Sequence, residues 1–425
     1  MAAADAQMLL LSAKMANDQF VLYAFEGVPD DLDGAIEGLR HRGQTCAELC
    51  LRVFDEDPLR YPRWVAGAIR PSQFMVHASV GEDWQGCLDR VSRLAEQQLD
   101  ASQMCWRIHV FPGVHRVPGV SAAATVVVMQ TTHALGDGTR SAELAGVLLG
   151  RRTPVRVVAG PDRGRFVGRA VSAALAHRSL VRDTANGLLA PPTHPLPSLS
   201  INAGHPVAGE ARAALRTLLV SREGLTGPTV TVAVLVAISE ALAGYLGERG
   251  EDISRLGAEV PMAKGESSSP VIKAHNDFVN VGVALYPELN RARRGQRIRE
   301  QLDAHRNRGA HPATKASAAA FAAVPAWILR WGMGKFDPTV RSATVTGHTV
   351  VSSVNRGPAD LAFGNRPVVL TAGYPALSPM MSLTHGVHGI GGQVAVSVHA
   401  DSNVIDIDDY TDRVAHALAR HSNAL

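Results

Sequence analysis

His133 is the residue of this sequence best suited to acid–base chemistry. It follows a β-branched run at 125–128 that predicts a buried strand, and it is followed, after three residues, by Asp137 and Gly138. An imidazole that titrates at about pH 6.5 is neutral at physiological pH and accepts a proton from a hydroxyl or an amine. We therefore interpret His133 as a general base. The alternative is an ordinary polar residue at a strand end.

The elements around His133 would fix its backbone. Gly136 and Gly138 permit a sharp turn after the strand, and the Asp137 side chain is suited to accept hydrogen bonds from local N–H groups. A helix should start at Gly138 or Thr139 and end at Gly150. Its apolar face is formed by Leu144, Val147 and Leu148.

The rest of the chain alternates predicted strands and helices. Strands are predicted at 20–25, 106–110, 122–130 and 215–220, and helices at 32–43, 83–99 and 228–245. The strand at 106–110 should lie beside the one at 122–130. The helix at 228–245 is apolar nearly all round, so we expect it to be buried between layers. A Pro-rich stretch at 188–209 predicts a crossover between two halves.

Composition bounds the class of protein. The 425 residues suggest two or three domains, and 46% hydrophobic residues suffice for sizeable cores. A formal net charge of +3, without a nucleic-acid-binding motif, argues against nucleic acid as a partner. The start lacks the pattern of a signal peptide, and the nearly apolar stretch 316–329 is shorter than the ~20 residues of a membrane span. We expect a cytoplasmic protein with reduced cysteines.

The sequence does not favour a metal site. Cys46 and Cys50 have no second Cys or His pair at a matching spacing. His385 and His388 precede glycines that we interpret as a turn leading into the alternating strand QVAVSVHAD. We therefore expect no bound metal.

The segment around His133 resembles the HHxxxDG motif of the CoA-dependent acyltransferase superfamily. It is most similar to bacterial wax ester synthase/diacylglycerol acyltransferase (WS/DGAT) proteins, and further similar stretches follow that family's order over nearly the whole chain. These are MLLLSAKMANDQFVLYAF at the start, YPRW at 61–64, Leu99-Asp100, Met104-Cys105-Trp106, His109-Val110, GPTVTVAVLVAISEALAGYL at 227–246, His275-Asn276 and VVSSVNRGP at 350–358.

The resemblance implies an α+β protein built of two-layer α/β sandwiches, in the two-domain chloramphenicol-acetyltransferase-like fold with a central substrate channel. We expect an N-terminal acyltransferase domain over 1–187 that carries the H-x3-D-G motif. A Pro-rich crossover linker should span 188–209, and a C-terminal WS/DGAT-like domain 210–425.

The resemblance also implies roles for individual residues. His133 matches the catalytic base, Asp137 a structural aspartate and Gly138 the motif glycine, while Thr132 stands where the family has its first histidine. The Asn-Asp pair of the family's long helix appears here as Thr231-Val232. Candidates for oxyanion or substrate contacts are Ser352, Ser353, Asn355 and Asn276, together with Thr132. For the first three, the alternative is a polar turn before Gly357-Pro358.

The implied activity is transfer of an acyl group from acyl-CoA to a hydroxyl acceptor, such as a fatty alcohol, a diacylglycerol or a natural-product alcohol. Acyl-CoA, or an acyl-carrier thioester, is then a co-substrate, and no permanently bound cofactor is expected. One alternative is a condensation-type acyltransferase that uses carrier-protein thioesters in natural-product assembly. Another is a non-catalytic acyl-ligand-binding protein on the same fold.

Two further stretches bear on partners. The arginines at 291–308 would suit CoA phosphates or anionic headgroups, but we favour a solvated helix face as their explanation. The aromatic residues at 318–333 would suit a membrane interface or a packed helix pair. Peripheral contact with the inner membrane or a lipid droplet therefore stands as a hypothesis.

Overall fold

The structure is a computed structural model that describes residues 1–78, 81–160, 164–202, 213–264 and 269–422. The helices are α1 Ala3–Ser12, α2 Leu32–Gln44, α3 Trp84–Leu94, α4 Gly138–Leu148, α5 Phe166–Ala185, α6 Val230–Gly247, α7 Arg291–Ala310, α8 Pro312–Ala322, α9 Ala326–Lys335 and α10 Ile407–Ser422. The strands are β1 Gln19–Glu26, β2 Leu51–Phe54, β3 Arg63–Ala66, β4 Phe74–Val76, β5 Trp106–Val114, β6 Ala124–Thr131, β7 Val157–Val158, β8 Leu196–Pro197, β9 Ala213–Ser221, β10 Gly257–Ala263, β11 Val271–Ile272, β12 Phe278–Ala284, β13 Thr344–Val345, β14 Thr349–Asn355, β15 Ala362–Phe363, β16 Arg366–Gly373, β17 Leu383–Ile390 and β18 Gln393–Asp401.

The first large sheet has the strand order β15-β16-β1-β6-β5-β4 and carries the segment that leads to His133. Strand β6 is buried at every position, as its β-branched residues predict, and it lies antiparallel between β1 and β5. Its neighbour β5 confirms the strand expected beside it at 106–110. Helices α2 and α4 pack against each other, and Leu39, Leu144 and Leu148 of these helices are buried in the same core.

The second large sheet has the order β12-β10-β14-β17-β18-β9. Helix α6 packs on it and is buried along most of its length, in agreement with its uniformly apolar sequence. This helix is long and apolar enough to cross a membrane, but 67% of it is buried inside the molecule, as is usual for a core helix. The Gly-rich residues 391–392 form the turn between β17 and β18, and His385 and His388 lie buried in β17.

The two sheets are interleaved along the chain. Strands β15 and β16 follow residue 210 in sequence, yet β16 pairs with β1 in the first sheet. Arg356, just after β14 of the second sheet, donates to the carbonyl oxygens of Leu22 in β1 and Ala372 in β16. The first sheet thus contains a piece of the C-terminal half, which the division at 1–187, 188–209 and 210–425 did not predict. Residues 203–209 of the predicted linker lie outside the described residues.

Several local predictions differ from the structure at their ends. The helix predicted at 83–99 ends at Leu94, because tertiary hydrogen bonds hold the residues that follow it. The Gln97 carbonyl accepts from Gln130, and the Gln98 side chain accepts from the Asn17 N–H. The aromatic stretch at 318–333 forms the helix pair α8 and α9.

Candidate active site

His133 lies at the point where β6 turns into α4. The strand ends at Thr131, a single 3-10 turn covers His133–Leu135, and Asp137 caps α4 by accepting from the Arg140 N–H at 2.9 Å. Gly136 is required here by space, since a Cβ would lie 2.5 Å from the Arg140 side chain. His133 is therefore held on a short rigid turn, half-buried, with its ring stacked on Phe278 at 5.9 Å between centroids.

Both nitrogens of the His133 ring are hydrogen-bonded, which assigns its tautomer. The Gln19 amide oxygen accepts from the Ser141 hydroxyl at 3.0 Å, so the Gln19 NH2 group faces His133 Nε2 at 3.2 Å. On the other side, Nδ1 lies 2.9 Å from the Asn276 side-chain oxygen, which can only accept. The ring thus carries its proton on Nδ1 and has a lone pair on Nε2.

These contacts form one continuous chain of hydrogen bonds. It runs from the Ser141 hydroxyl through Gln19, His133 and Asn276 to the Asp5 carboxylate, where Asn276 Nδ2 donates to Asp5 Oδ1 at 3.1 Å. Every donor points in the same direction, toward the negative end at Asp5. Such an arrangement stabilises a positive charge that develops on His133.

Burial lowers the pKa of His133 below its ordinary value. The Asn276 hydrogen bond and the negative charges of Asp137 and Asp5 oppose this effect. The ring is therefore neutral at physiological pH, in the state that a general base requires.

The Asn276 side chain is not positioned as the oxyanion donor that the sequence suggested. Its two amide hydrogens are directed at Asp5 Oδ1 and at the His133 carbonyl oxygen, at 3.1 and 2.8 Å. Neither hydrogen is left for a substrate. The structure therefore makes Asn276 the residue that orients the base.

Asp137 joins the two halves of the site. Its Oδ1 caps α4, and its Oδ2 accepts from the Asp277 N–H at 3.2 Å in the segment that precedes β12. The Asp137 N–H donates in turn to the His275 carbonyl oxygen at 3.3 Å. These bonds are those of the structural aspartate expected from the motif.

The oxyanion candidates on β14, Ser353 and Asn355, have different hydrogen-bond partners. Ser353 accepts from the Thr231 hydroxyl at 2.9 Å, whereas Asn355 accepts from the Gly357 N–H in a local turn. Val354 lies close to Gly138, because a Cβ there would meet its methyl group at 3.4 Å. Gly138 thus allows the end of β14 to approach the start of α4.

The positions of Ser352 and Thr132 follow from the elements that carry them. Ser352 shares the strand face of Val354, because side chains alternate along β14. Thr132 is buried at the start of the 3-10 turn, and its N–H donates to the Cys105 carbonyl oxygen. No acidic or basic group replaces the first motif histidine at this position.

Sequence reasoning missed Gln19, Ser141 and Asp5. Gln19 and Asp5 lie far from His133 along the chain, and nothing in their local sequence marks them as polar contacts of a base. Gln19 does fall in the first of the family-like stretches, which was the available signal. Most arginines of α7 pair with carboxylates, such as Arg294 with Glu240 and Arg299 with Asp303, whereas Arg308 donates to the Ala190 carbonyl oxygen. Among the described residues, no group of three or more His, Cys, Asp or Glu side chains is arranged to hold a metal.

Comparisons with known proteins identify proteins that share a domain or the fold. Residues 278–421 match the model of the WS/DGAT C-terminal domain. The structure is similar to a wax ester synthase/diacylglycerol acyltransferase from Marinobacter aquaeolei VT8, with 16% identity, a TM-score of 0.60, and coverage of 98% of this chain and 97% of that one. No curated protein sequence matches the chain.

Condensation domains share the same fold. The first condensation domain of the CDA synthetase is 16% identical, with a TM-score of 0.58 and coverage of 99% and 95%. The starter condensation domain of rhizomide synthetase, solved with C8-CoA and Leu-SNAC, is 15% identical, with a TM-score of 0.57 and coverage of 99% and 93%. These likenesses confirm the two-domain chloramphenicol-acetyltransferase-like fold.

Residues 278–421 thus match the C-terminal domain of WS/DGAT proteins, and the whole chain has the fold that a WS/DGAT acyltransferase and condensation domains share.

Proposed function

We propose that this protein transfers an acyl group from acyl-CoA to a hydroxyl acceptor, with His133 as the general base. The observation that carries the proposal is the assigned tautomer, in which Nε2 is unprotonated and its lone pair can accept a proton. The acceptor hydroxyl would replace the Gln19 amide as the donor to Nε2. The acceptor class is a fatty alcohol, a diacylglycerol or a natural-product alcohol.

The reaction needs one base and one oxyanion donor. As the hydroxyl oxygen attacks the thioester carbonyl, its proton passes to Nε2, and a tetrahedral intermediate forms. The imidazolium is stabilised by the Nδ1–H bond to Asn276 and by Asp5 behind it. The intermediate then collapses with cleavage of the C–S bond, and the imidazolium protonates the departing CoA thiolate. The Ser353 hydroxyl is our candidate for the oxyanion donor.

Thiol release from a panel of acyl-CoAs and alcohols tests this mechanism, with mass analysis of the products. His133→Ala should lower turnover by about 100-fold or more, because general-base catalysis contributes that much. The matched control is His416→Ala, an exposed histidine on α10, which should retain native turnover. Equal turnover from native protein and His133→Ala would contradict the proposal.

The similarity to condensation domains supports a second candidate, in which the acyl donor is carried on a protein. The same assay separates the two candidates when acyl-CoA is replaced by an acylated carrier protein. Turnover that strictly requires the carrier would favour this second candidate. Acyl-CoA binding without turnover from either donor would favour an acyl-ligand-binding protein.

We also propose that the protein meets lipid substrates at the cytoplasmic face of the inner membrane. Val167, Val171 and Leu175 form an exposed stripe on α5, at 72, 54 and 57% exposure. On α9, Trp327 and Trp331 are 56 and 66% exposed. Helix α5 packs on α8, which directly precedes α9. The exposed basic residues nearby are Arg165 at the start of α5, Arg178 on α5 and Lys335 on α9. Exposed aromatic and aliphatic side chains with basic neighbours favour an anionic bilayer surface.

Vesicle flotation tests this contact. The protein should float with vesicles that contain phosphatidylglycerol and less with pure phosphatidylcholine, because both apolar insertion and charge contribute. Replacing both tryptophans with serine should abolish flotation, whereas His416→Ala should not change it. Absence of binding to anionic vesicles by the native protein would remove the hypothesis.

A further inference from the structure

A line of charged side chains extends behind His133, and their signs alternate. Asp5 pairs with His275 at 3.1 Å, His275 with Glu48 at 3.1 Å, and Glu48 with Arg140 at 2.8 Å. Arg140 continues to Glu143 at 3.3 Å, and Glu143 pairs with Arg156. The line joins α1, the segment before β12, the 3-10 helix Ala47–Cys50 and α4. None of these ion pairs takes part in the proposed chemistry directly.

The contacts of His275 assign its charge. Nδ1 lies 3.1 Å from Asp5 Oδ2, and Nε2 lies 3.1 Å from Glu48 Oε2. Ionised carboxylates only accept hydrogen bonds, so both ring nitrogens must carry a proton. His275 is thus an imidazolium, 3% exposed, with the Trp64 ring at 5.0 Å between centroids.

The electrostatics agree with this geometry. Burial acts to lower the pKa of His275, but the hydrogen bonds and charges of Asp5 and Glu48 outweigh it and leave the pKa above its ordinary value. The pKa of Glu48 is lowered: burial would raise it, and His275 and Arg140 together more than compensate. Glu48 thus contacts two positively charged groups, His275 and Arg140.

Asp5 is the link between His275 and the base. Its Oδ2 accepts from the His275 N–H and ring, while its Oδ1 accepts from the backbone and side-chain nitrogens of Asn276. Asp5 is fully buried, so without the imidazolium its charge would be uncompensated. Loss of the His275 charge would therefore break the ion pair that holds Asp5 and release the Asn276 amide from His133.

We propose that His275 is a positioning residue that must stay charged in order to hold Asp5, and through Asn276 the neutral base His133, in the active arrangement. This proposal rests on the proposed function of His133. Two neighbouring histidines then have opposite protonation states at the same pH, and each state is necessary.

The proposal predicts two limbs in the pH profile of kcat/KM. On the acidic limb, activity is lost because His133 becomes protonated. On the basic limb, activity is lost because His275 loses a proton and becomes neutral. In Asp5→Asn the negative charge that raises the pKa of His133 is gone, so the acidic limb should move to lower pH. In His275→Gln the basic limb should disappear, and kcat should fall by about tenfold or more, as when a supporting side chain is removed.

The controls are matched in charge and type. Asp33→Asn, an exposed carboxylate on α2, and His416→Gln should leave both limbs in place. A basic limb that persists unchanged in His275→Gln would overturn the proposal, because another group would then cause it.

A measurement that needs no turnover decides the charge itself. Long-range 1H–15N spectra of the native protein at pH 7 should show His275 with both nitrogens protonated and His133 with only Nδ1 protonated. The signals are assigned with His275→Gln and, if that variant does not fold, with Asp5→Asn, which should shift these two rings. A neutral His275 would overturn the proposal even if His133 catalyses the reaction. A charged His275 in an inactive protein would contradict only the proposed function.

Discussion

The Ser353 hydroxyl receives its hydrogen bond from Thr231, which leaves its own proton to be donated elsewhere. If Ser353 stabilises the oxyanion, Ser353→Ala should lower kcat by about 100-fold, equivalent to ~3 kcal/mol, with little change in KM. Asn355→Ala is the control in the same segment, because Asn355 serves only the turn at Gly357. Steady-state kinetics with saturating acyl-CoA make the comparison. An equal loss in both variants would indicate that the segment acts through its shape.

The sequence pointed to His133 as the candidate base but not to the residues that set its tautomer. The H-x3-D-G pattern is local, so His133, Asp137 and their turn follow from neighbouring residues. Gln19 reaches the ring through the pairing of β1 with β6, and Asp5 acts on it through Asn276 because α1 packs on the turn His133–Leu135. Such contacts depend on topology, which no spacing along the chain encodes.

Asp137 and Asp83 each cap the N-terminus of a helix. Asp137 caps α4, and Asp83 caps α3 by accepting from the Gly86 N–H at 3.0 Å. Replacing either with alanine should lower the free energy of unfolding by about 1 kcal/mol, measured by urea titration. Only Asp137→Ala should also lower kcat, because Asp137, unlike Asp83, also accepts a hydrogen bond from the segment that carries Asn276. Native kcat in Asp137→Ala would show that this cross-link is dispensable.

Element ends were harder to predict than element types. The apolar stripe of α3 was correct, and Trp84, Cys87, Leu88 and Val91 are buried. The helix stops early because Gln130 and Asn17 donate hydrogen bonds to Gln97 and Gln98, beyond Leu94. Tertiary bonds of this kind outweigh local helix propensity.

Buried histidines should make the whole molecule sensitive to acid. Burial lowers the pKa of His109 and His399 to about 4 and that of His385 to about 3. The unfolded state therefore binds more protons as the pH falls below about 6.5, and stability is lost toward the folded-state pKa values. Asp18, whose pKa burial raises to about 6, acts in the opposite direction, as do Glu259, Asp277 and His275, whose pKa values are also raised. The histidines with lowered pKa values are more numerous, because burial also lowers those of His77, His133, His348 and His388.

Urea unfolding at pH 7.5 and at pH 5.0 measures this effect. The midpoint should be clearly lower at pH 5.0, and His385→Gln should reduce the difference. The exposed His416→Gln is the control and should not reduce it. A midpoint that is independent of pH would show that these rings are hydrated in the native state.

The interleaving of the sheets was the largest feature that the sequence did not predict. The chain order suggested two successive halves, but β16 pairs with β1 across the chain, as in the pair Val21 and Gly373, which are 352 residues apart. Pairing at such separation leaves no periodic or compositional trace. The fold class was accessible because it depends on element types, whereas this strand exchange depends on the final packing.

The insertion of β16 between β1 and β15 also governs how the protein is made. On the ribosome, β1 and β6 emerge early, but the strand that covers the free edge of β1 is synthesised only at residues 366–373. Until then the nascent chain presents an unpaired, apolar edge, which is a template for aggregation. The first sheet therefore stays incomplete until residues 366–373 have been synthesised, whereas the side chains that contact His133 are all present once Phe278 has been made.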